Sequence, residues 1–100
     1  MQYTIEQIRE ILKAKGRIVA PESRVSRLLT DSRSLSFPEE TIFFAIKTKH
    51  GDGHNYVKEL YKRGVNNFVV NSIDSFKELD RANFVIVDDR LKALQALATY

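Results

Sequence analysis

The stretch TIFFAI, residues 41–46, is a continuous uncharged run rich in aromatic and β-branched residues. A run of that length and composition predicts a strand buried on both faces inside a sheet, because a half-exposed strand would alternate with polar residues. Polar loops flank it. LTDSR (29–33) and a segment around Pro38 precede it, and KTKHGDGH (47–54) follows. Together the loops hold hydroxyls, cations, glycines and both histidines of the chain.

Toward the C-terminus the period becomes helical at Asn55, with Tyr56, Val57, Leu60 and Tyr61 on one face and Gly64 as the stop. A strand at 68–70, a short helix at 72–79 with Phe76 and Leu79 inward, and a strand at 84–87 follow. Asp88 or Asp89 then caps a last helix carrying Leu91, Leu94 and Leu97. Strands alternating with helices predict the α/β class: a small, mostly parallel sheet flanked by helices, with right-handed crossovers. Toward the N-terminus, 25–30 reads as a strand with Val25, Leu28 and Leu29 as its apolar content, and 17–20 as an extended piece ended by Pro21. Residues 3–15 read as a helix with Thr4 and Gln7 at capping-box spacing, Tyr3 stapling onto Ile8, and Gly16 as its C-terminal stop.

One hundred residues allow a single domain, and 43% apolar with 29% charged residues is ordinary for a globular chain. No apolar run approaches the roughly 20 residues that span a bilayer. The N-terminus lacks a basic-then-apolar signal region, so a cytoplasmic location is expected. Without cysteine there is no disulfide, thiolate metal site or thiol catalysis. The net charge of +3 comes from 16 Lys and Arg dispersed among 13 Asp and Glu. That balance suits a small anionic ligand and lacks the concentrated basic face of a nucleic-acid binder.

Thr30 and Ser32 bring short hydroxyls to the first loop, and Asp31 and Arg33 can pair or bind nearby backbone. Such a group contacts phosphate oxygens at a strand end, and equally forms an ordinary turn that satisfies itself. In the second loop Gly51 and Gly53 permit sharp bends and close backbone approach, and Lys47 and Lys49 add positive charge. The helix that follows directs its N-terminal N–H groups into the same space, a combination favouring an anion. His50, Asp52 and His54 make an incomplete metal set, since glycines separate the histidines and no further His or Cys joins them. Ser32 lacks a G-x-S-x-G setting, and the chain has neither a P-loop nor G-x-G-x-x-G. No catalytic residue is expected, and the chain alone is expected to be inactive.

The ordered series LLTDSR, FPEETIFFAI, GDGHNYV, RGVNNFVV and FVIVDDRLKALQALATY resembles the N-terminal domain of the Mur ligases over about residues 25–100. The resemblance implies a UDP-substrate-binding domain of a larger ligase of peptidoglycan synthesis, nearest the step that adds D-alanyl-D-alanine to the UDP-N-acetylmuramoyl tripeptide. In that family a central domain binds ATP and Mg2+, the tripeptide carboxylate becomes an acyl phosphate, and the incoming amine attacks it. Carried over by position, Thr30, Ser32, Lys49, His50 and Gly51 contact the UDP moiety, with Asp31, Arg33, Asp52, Gly53 and His54 in support. The implied partners are the UDP-muramoyl peptide and a central ATP-binding domain of the same chain, with no nucleic acid, membrane span or metal in this domain. The apolar stripe still running at Tyr100 is expected to lead into that next domain. Some relatives carry a fused alanine racemase, a question the 100 residues leave open. The rival reading is a free-standing α/β module for nucleic acid or a protein partner.

Overall fold

The computed structural model describes residues 2–45, 47, 48 and 51–99. In chain order the elements are β1 (Tyr3–Thr4), α1 (Ile5–Ile11), β2 (Lys15–Arg17), β3 (Arg24–Val25), β4 (Arg27–Leu29), β5 (Thr41–Phe44), β6 (Lys47–Thr48), β7 (Gly51–Asp52), α2 (Val57–Lys62), β8 (Asn67–Val70), β9 (Asn83–Ile86) and α3 (Arg90–Thr99). Single 3-10 turns lie at Ser32–Ser34, Pro38–Glu40 and Gly53–Tyr56.

Five strands form the main sheet in the order β2-β9-β8-β5-β4. The pairs β4/β5, β5/β8 and β8/β9 are parallel, as the α/β reading expects. Every residue of β5 and of β8 is buried. Alternate side chains supply two separate cores. Phe43, Phe68, Val70 and Phe84 face α2 and the turns before β9, through Val57, Leu60, Phe76 and Leu79. Ile42, Phe44, Val69 and Val85 face the opposite layer, made by Ile5 and Ile8 of α1 and by Ala93 and Leu97 of α3. Burying one such side chain stabilises by about 1.5–3 kcal/mol. Strand propensity spans only about 1 kcal/mol, so two-sided burial decides where these strands lie.

The chain steps one way along the sheet from β4 to β9, and right-handed crossovers taken in one direction fall on one face. The carboxyl ends of β4, β5, β8 and β9 therefore share one edge of the sheet.

Several expectations are corrected. The first helix is Ile5–Ile11, not 3–15, although its capping box forms: Gln7 N–H donates to Thr4 Oγ1 at 3.1 Å and Thr4 N–H to Gln7 Oε1 at 2.8 Å. It closes through Lys13, which takes φ 53°. Lys13 N–H reaches Glu10 O and Ala14 N–H reaches Arg9 O, the bond pair of a left-handed helix stop. Gly16 is no stop. It belongs to β2, which adds to β9 antiparallel and replaces the extended piece at 17–20. The strand expected at 25–30 divides: β3 pairs with β1, β4 pairs with β5, and Ser26 N–H turns aside to Glu40 O.

Residues 72–79 form consecutive turns in place of a helix. Phe76 N–H bonds to Ile73 O and Leu79 N–H to Phe76 O, three residues back rather than four. Ser72 Oγ also takes Asp74 N–H at 3.1 Å, a local bond that competes with helix. Phe76 and Leu79 are nevertheless buried as expected. Leu28, Tyr56 and Leu91 are exposed, Leu91 by 52%. Asp89, rather than Asp88, caps the last helix by accepting Lys92 N–H at 3.0 Å. Ile46, expected to end the central strand, lies outside the described residues. Among the described residues no helix is long and apolar enough to cross a membrane.

Candidate functional site

The loops after β4 and β5 leave adjacent parallel strands at the same sheet edge, where ligands of open α/β sheets bind. Each carries an aspartate that caps a 3-10 turn. Asp31 Oδ1 accepts Arg33 N–H at 2.9 Å, and Asp52 Oδ1 accepts His54 N–H at 3.0 Å. In both turns the side chain two residues on returns to the same carboxylate. Arg33 donates from Nε at 3.1 Å and from Nη2 at 2.8 Å, and His54 Nδ1 lies 3.0 Å from Asp52 Oδ1. DSR and DGH are thus one local device used twice, a likeness visible in the sequence as D-x-[RH] and missed when the two loops are read separately.

The turns differ in freedom. Hydrogen bonds donated to the Asp31 carboxylate hold the Arg33 guanidinium above the ordinary arginine value. Ser32 is half-buried, and its carbonyl accepts Arg63 Nη1 at 3.4 Å. Thr30 is exposed. Among the described residues, neither the Thr30 nor the Ser32 hydroxyl has a hydrogen-bond partner.

The second loop folds on itself as a small hairpin, with Lys47 opposite Asp52 and Thr48 opposite Gly51. Gly53 is buried, and half-buried His54 stacks on Phe76 with ring centroids 5.8 Å apart and planes 16° apart. His54 is therefore fixed between a carboxylate and an aromatic ring. Lys49 and His50, expected to touch the ligand, lie outside the described residues. Among the described residues, no three His, Asp or Glu side chains gather as a metal set.

A cleft of about 430 Å³ opens beside this loop, between the carboxyl ends of β5 and β8. Asp52, His54, Asn55 and Lys58 form one wall, and Asn71, Ser72, Ser75 and Phe76 the other. Thr30 to Arg33 take no part in it, so Asp52 and His54 are the expected residues that line a cavity. Asn71, Ser72 and Ser75 were not singled out from sequence. Their signal is position alone, directly after a buried run that becomes a parallel strand. Lys58, in the first wall, brings Nζ to 2.9 Å from Glu78 Oε1, and this bond holds the Glu78 carboxyl below its usual range.

The mostly parallel five-stranded sheet layered by helices is the fold of the N-terminal domain of the Mur ligases. Among the solved structures it resembles are those of MurF. Two crystal structures of MurF from Acinetobacter baumannii superpose with a TM-score of 0.80, at 25% and 26% identity. The structure of UDP-N-acetylmuramoylalanyl-D-glutamyl-2,6-diaminopimelate–D-alanyl-D-alanyl ligase from the same organism gives 0.79 at 26% identity. Each match covers all of this chain and 21% of the other, so the chain spans about a fifth of their length. No protein-family model matches the chain, and no curated protein matches it.

Proposed function

We propose that this chain is the UDP-binding N-terminal domain of a cytoplasmic peptidoglycan-precursor ligase, the one that adds D-alanyl-D-alanine to the UDP-N-acetylmuramoyl tripeptide. The observation that carries the reading is the pair of aspartate-capped turns at the ends of neighbouring parallel strands, on a fold shared with MurF. Thr30, Ser32 and Gly51, with Lys49 and His50, contact the UDP moiety, while Asp31, Arg33, Asp52, Gly53 and His54 hold the two backbones in shape. ATP with Mg2+, bound by a central domain of the parent enzyme, supplies activation of the tripeptide carboxylate. This domain contributes neither nucleophile nor base and is inactive alone. Its part is remote binding energy: gripping the constant nucleotide end orients a long substrate whose reacting end lies elsewhere.

Titration of the 15N-labelled chain with UDP is expected to shift the amides of residues 30–33 and 51–54. Ser32→Ala should weaken binding a few-fold, as the loss of one hydrogen bond does. Shifts confined to the opposite edge of the sheet, or an unchanged affinity in Ser32→Ala, would overturn the assignment.

A further inference from the structure

We infer that Arg17, on the antiparallel edge strand β2, is a positioning residue for the second loop, acting through the turns between β8 and β9 and an aromatic column that ends at His54. Its bearing on loop geometry stands on contacts alone, and its bearing on ligand binding rests on the UDP assignment above. Arg17 lies opposite Phe84 in the β2/β9 register, and its guanidinium covers the Phe84 ring at 4.9 Å from the centroid. The quadrupole of the ring holds a planar cation on such a face.

The same guanidinium gathers three backbone carbonyls. Nη1 donates to Lys77 O at 3.1 Å, and Nη2 donates to Leu79 O and, at 3.4 Å, to Ala82 O. All three acceptors belong to the run of turns between β8 and β9. Carbonyls that a helix would satisfy internally are thus satisfied from another strand. The acceptors are neutral, so the tie does not depend on the charge state of an acid. Arg17 Nε is buried without a hydrogen-bond partner. An orphaned buried donor is destabilising, and the bonds to the carbonyls together with the ring contact must offset it.

Stacked rings carry the tie to the site. Phe84 stacks on Phe76 with centroids 5.8 Å apart and planes 6° apart, and Phe76 stacks on His54 at 5.8 Å and 16°. His54 Nδ1 in turn lies 3.0 Å from Oδ1 of Asp52, the carboxylate that caps the second loop. Phe76 stands on the turns that Arg17 holds: its N–H donates to Ile73 O, and its carbonyl accepts Leu79 N–H. Interiors packed this closely transmit a displacement from one ring to the next. Releasing the carbonyls of Leu79 and Ala82 therefore loosens Phe76, and with it the ring that fixes His54.

The test substitutes Arg17→Met, which keeps a long side chain and removes every donor, and Arg17→Lys, which keeps the charge without the planar fork. Ile8→Val, in the opposite core, serves as a destabilised control. In Arg17→Met, amide exchange at Phe76, Leu79 and Ala82 should quicken about tenfold while β5 keeps its protection. The His54 ring protons, shielded by the Phe76 face, should shift toward the free-histidine position, with Arg17→Lys between Arg17→Met and wild type. The affinity for UDP should drop a few-fold, with the shifts at 30–33 retained. Unchanged His54 resonances in Arg17→Met, or an equal shift in Ile8→Val, would overturn the inference even if exchange at 76–82 quickens. A shifted His54 with unaltered UDP affinity would overturn the role in binding. Should Arg17→Met not fold, Arg17→Lys decides by the same His54 readout. If His54 shifts as expected while wild type gives no response to UDP, the positioning role stands and the UDP assignment fails.

Discussion

Gly16 is required by crowding and not by dihedral freedom. A Cβ placed there would stand 2.7 Å from the Phe84 carbonyl oxygen, on the strand that pairs with it. The neighbour is backbone and cannot swing away, so Gly16→Ala should cost about 1–3 kcal/mol, read as a lower urea midpoint with an unchanged slope. Gly64 is the opposite case. Its φ of 104° is a conformation that side-chain-bearing residues rarely adopt, and it stops the helix before β8 as the sequence predicts. The left-handed stop of the first helix falls instead to Lys13, a residue without a sequence signal for it. A glycine is legible as a punctuation mark; whether it serves a turn or a close contact depends on what lies across from it.

Short elements here are set by side chains that satisfy nearby backbone. Thr4 and Gln7 cap α1, and Glu6 and Arg9 lie one turn apart on it with Nε 2.9 Å from Oε1. The hydrogen bond from Arg9 holds the Glu6 carboxyl below the ordinary glutamate range. A carboxylate whose folded value is lowered contributes stability above its unfolded value and loses it as pH falls through the folded one. Wild type should therefore exceed Glu6→Gln in unfolding free energy by a constant margin near neutrality, and that margin should shrink as the solution is acidified below the ordinary glutamate range. A margin independent of pH would show that the pair contributes through packing alone. The capping spacing of α1 and the Asp cap of α3 were legible because both partners lie within three residues. The segment 72–79 was not, since its apolar spacing fits a helix while Ser72 and consecutive three-residue turns draw the backbone away from one.

At the scale of the whole molecule, one buried polar pair ties the layers together. Asn67 and Asn83 sit opposite each other on β8 and β9, both fully buried. Asn83 Nδ2 donates to Asn67 Oδ1 at 2.9 Å and to Ala20 O at 3.1 Å, and its Oδ1 accepts Val19 and Ala20 N–H at 2.8 and 2.9 Å. Asn67 Nδ2 reaches Ser23 Oγ at 3.1 Å. The pair thus moors the connection between β2 and β3 to the amino edge of the sheet, opposite the candidate site. Asn83→Ala strands these groups at about 1–3 kcal/mol for each one left buried without a partner. The expected outcome is a clear loss of thermal stability, with amide exchange at Val19 and Ala20 speeded more than in β5. The same edge geometry bears on function, since it leaves the carboxyl edge free to carry the two capped turns and the cleft. Apolar runs at 41–46, 68–70 and 84–87, separated by helical or polar stretches, determined by themselves that this is an α/β chain with a buried parallel sheet, because burial of consecutive apolar residues is a local property of sequence. The antiparallel fifth strand, the asparagine pair and the wall supplied by Asn71, Ser72 and Ser75 were decided only by tertiary structure. Each depends on residues far apart in the chain meeting at one place, and no local spacing records who the partner will be.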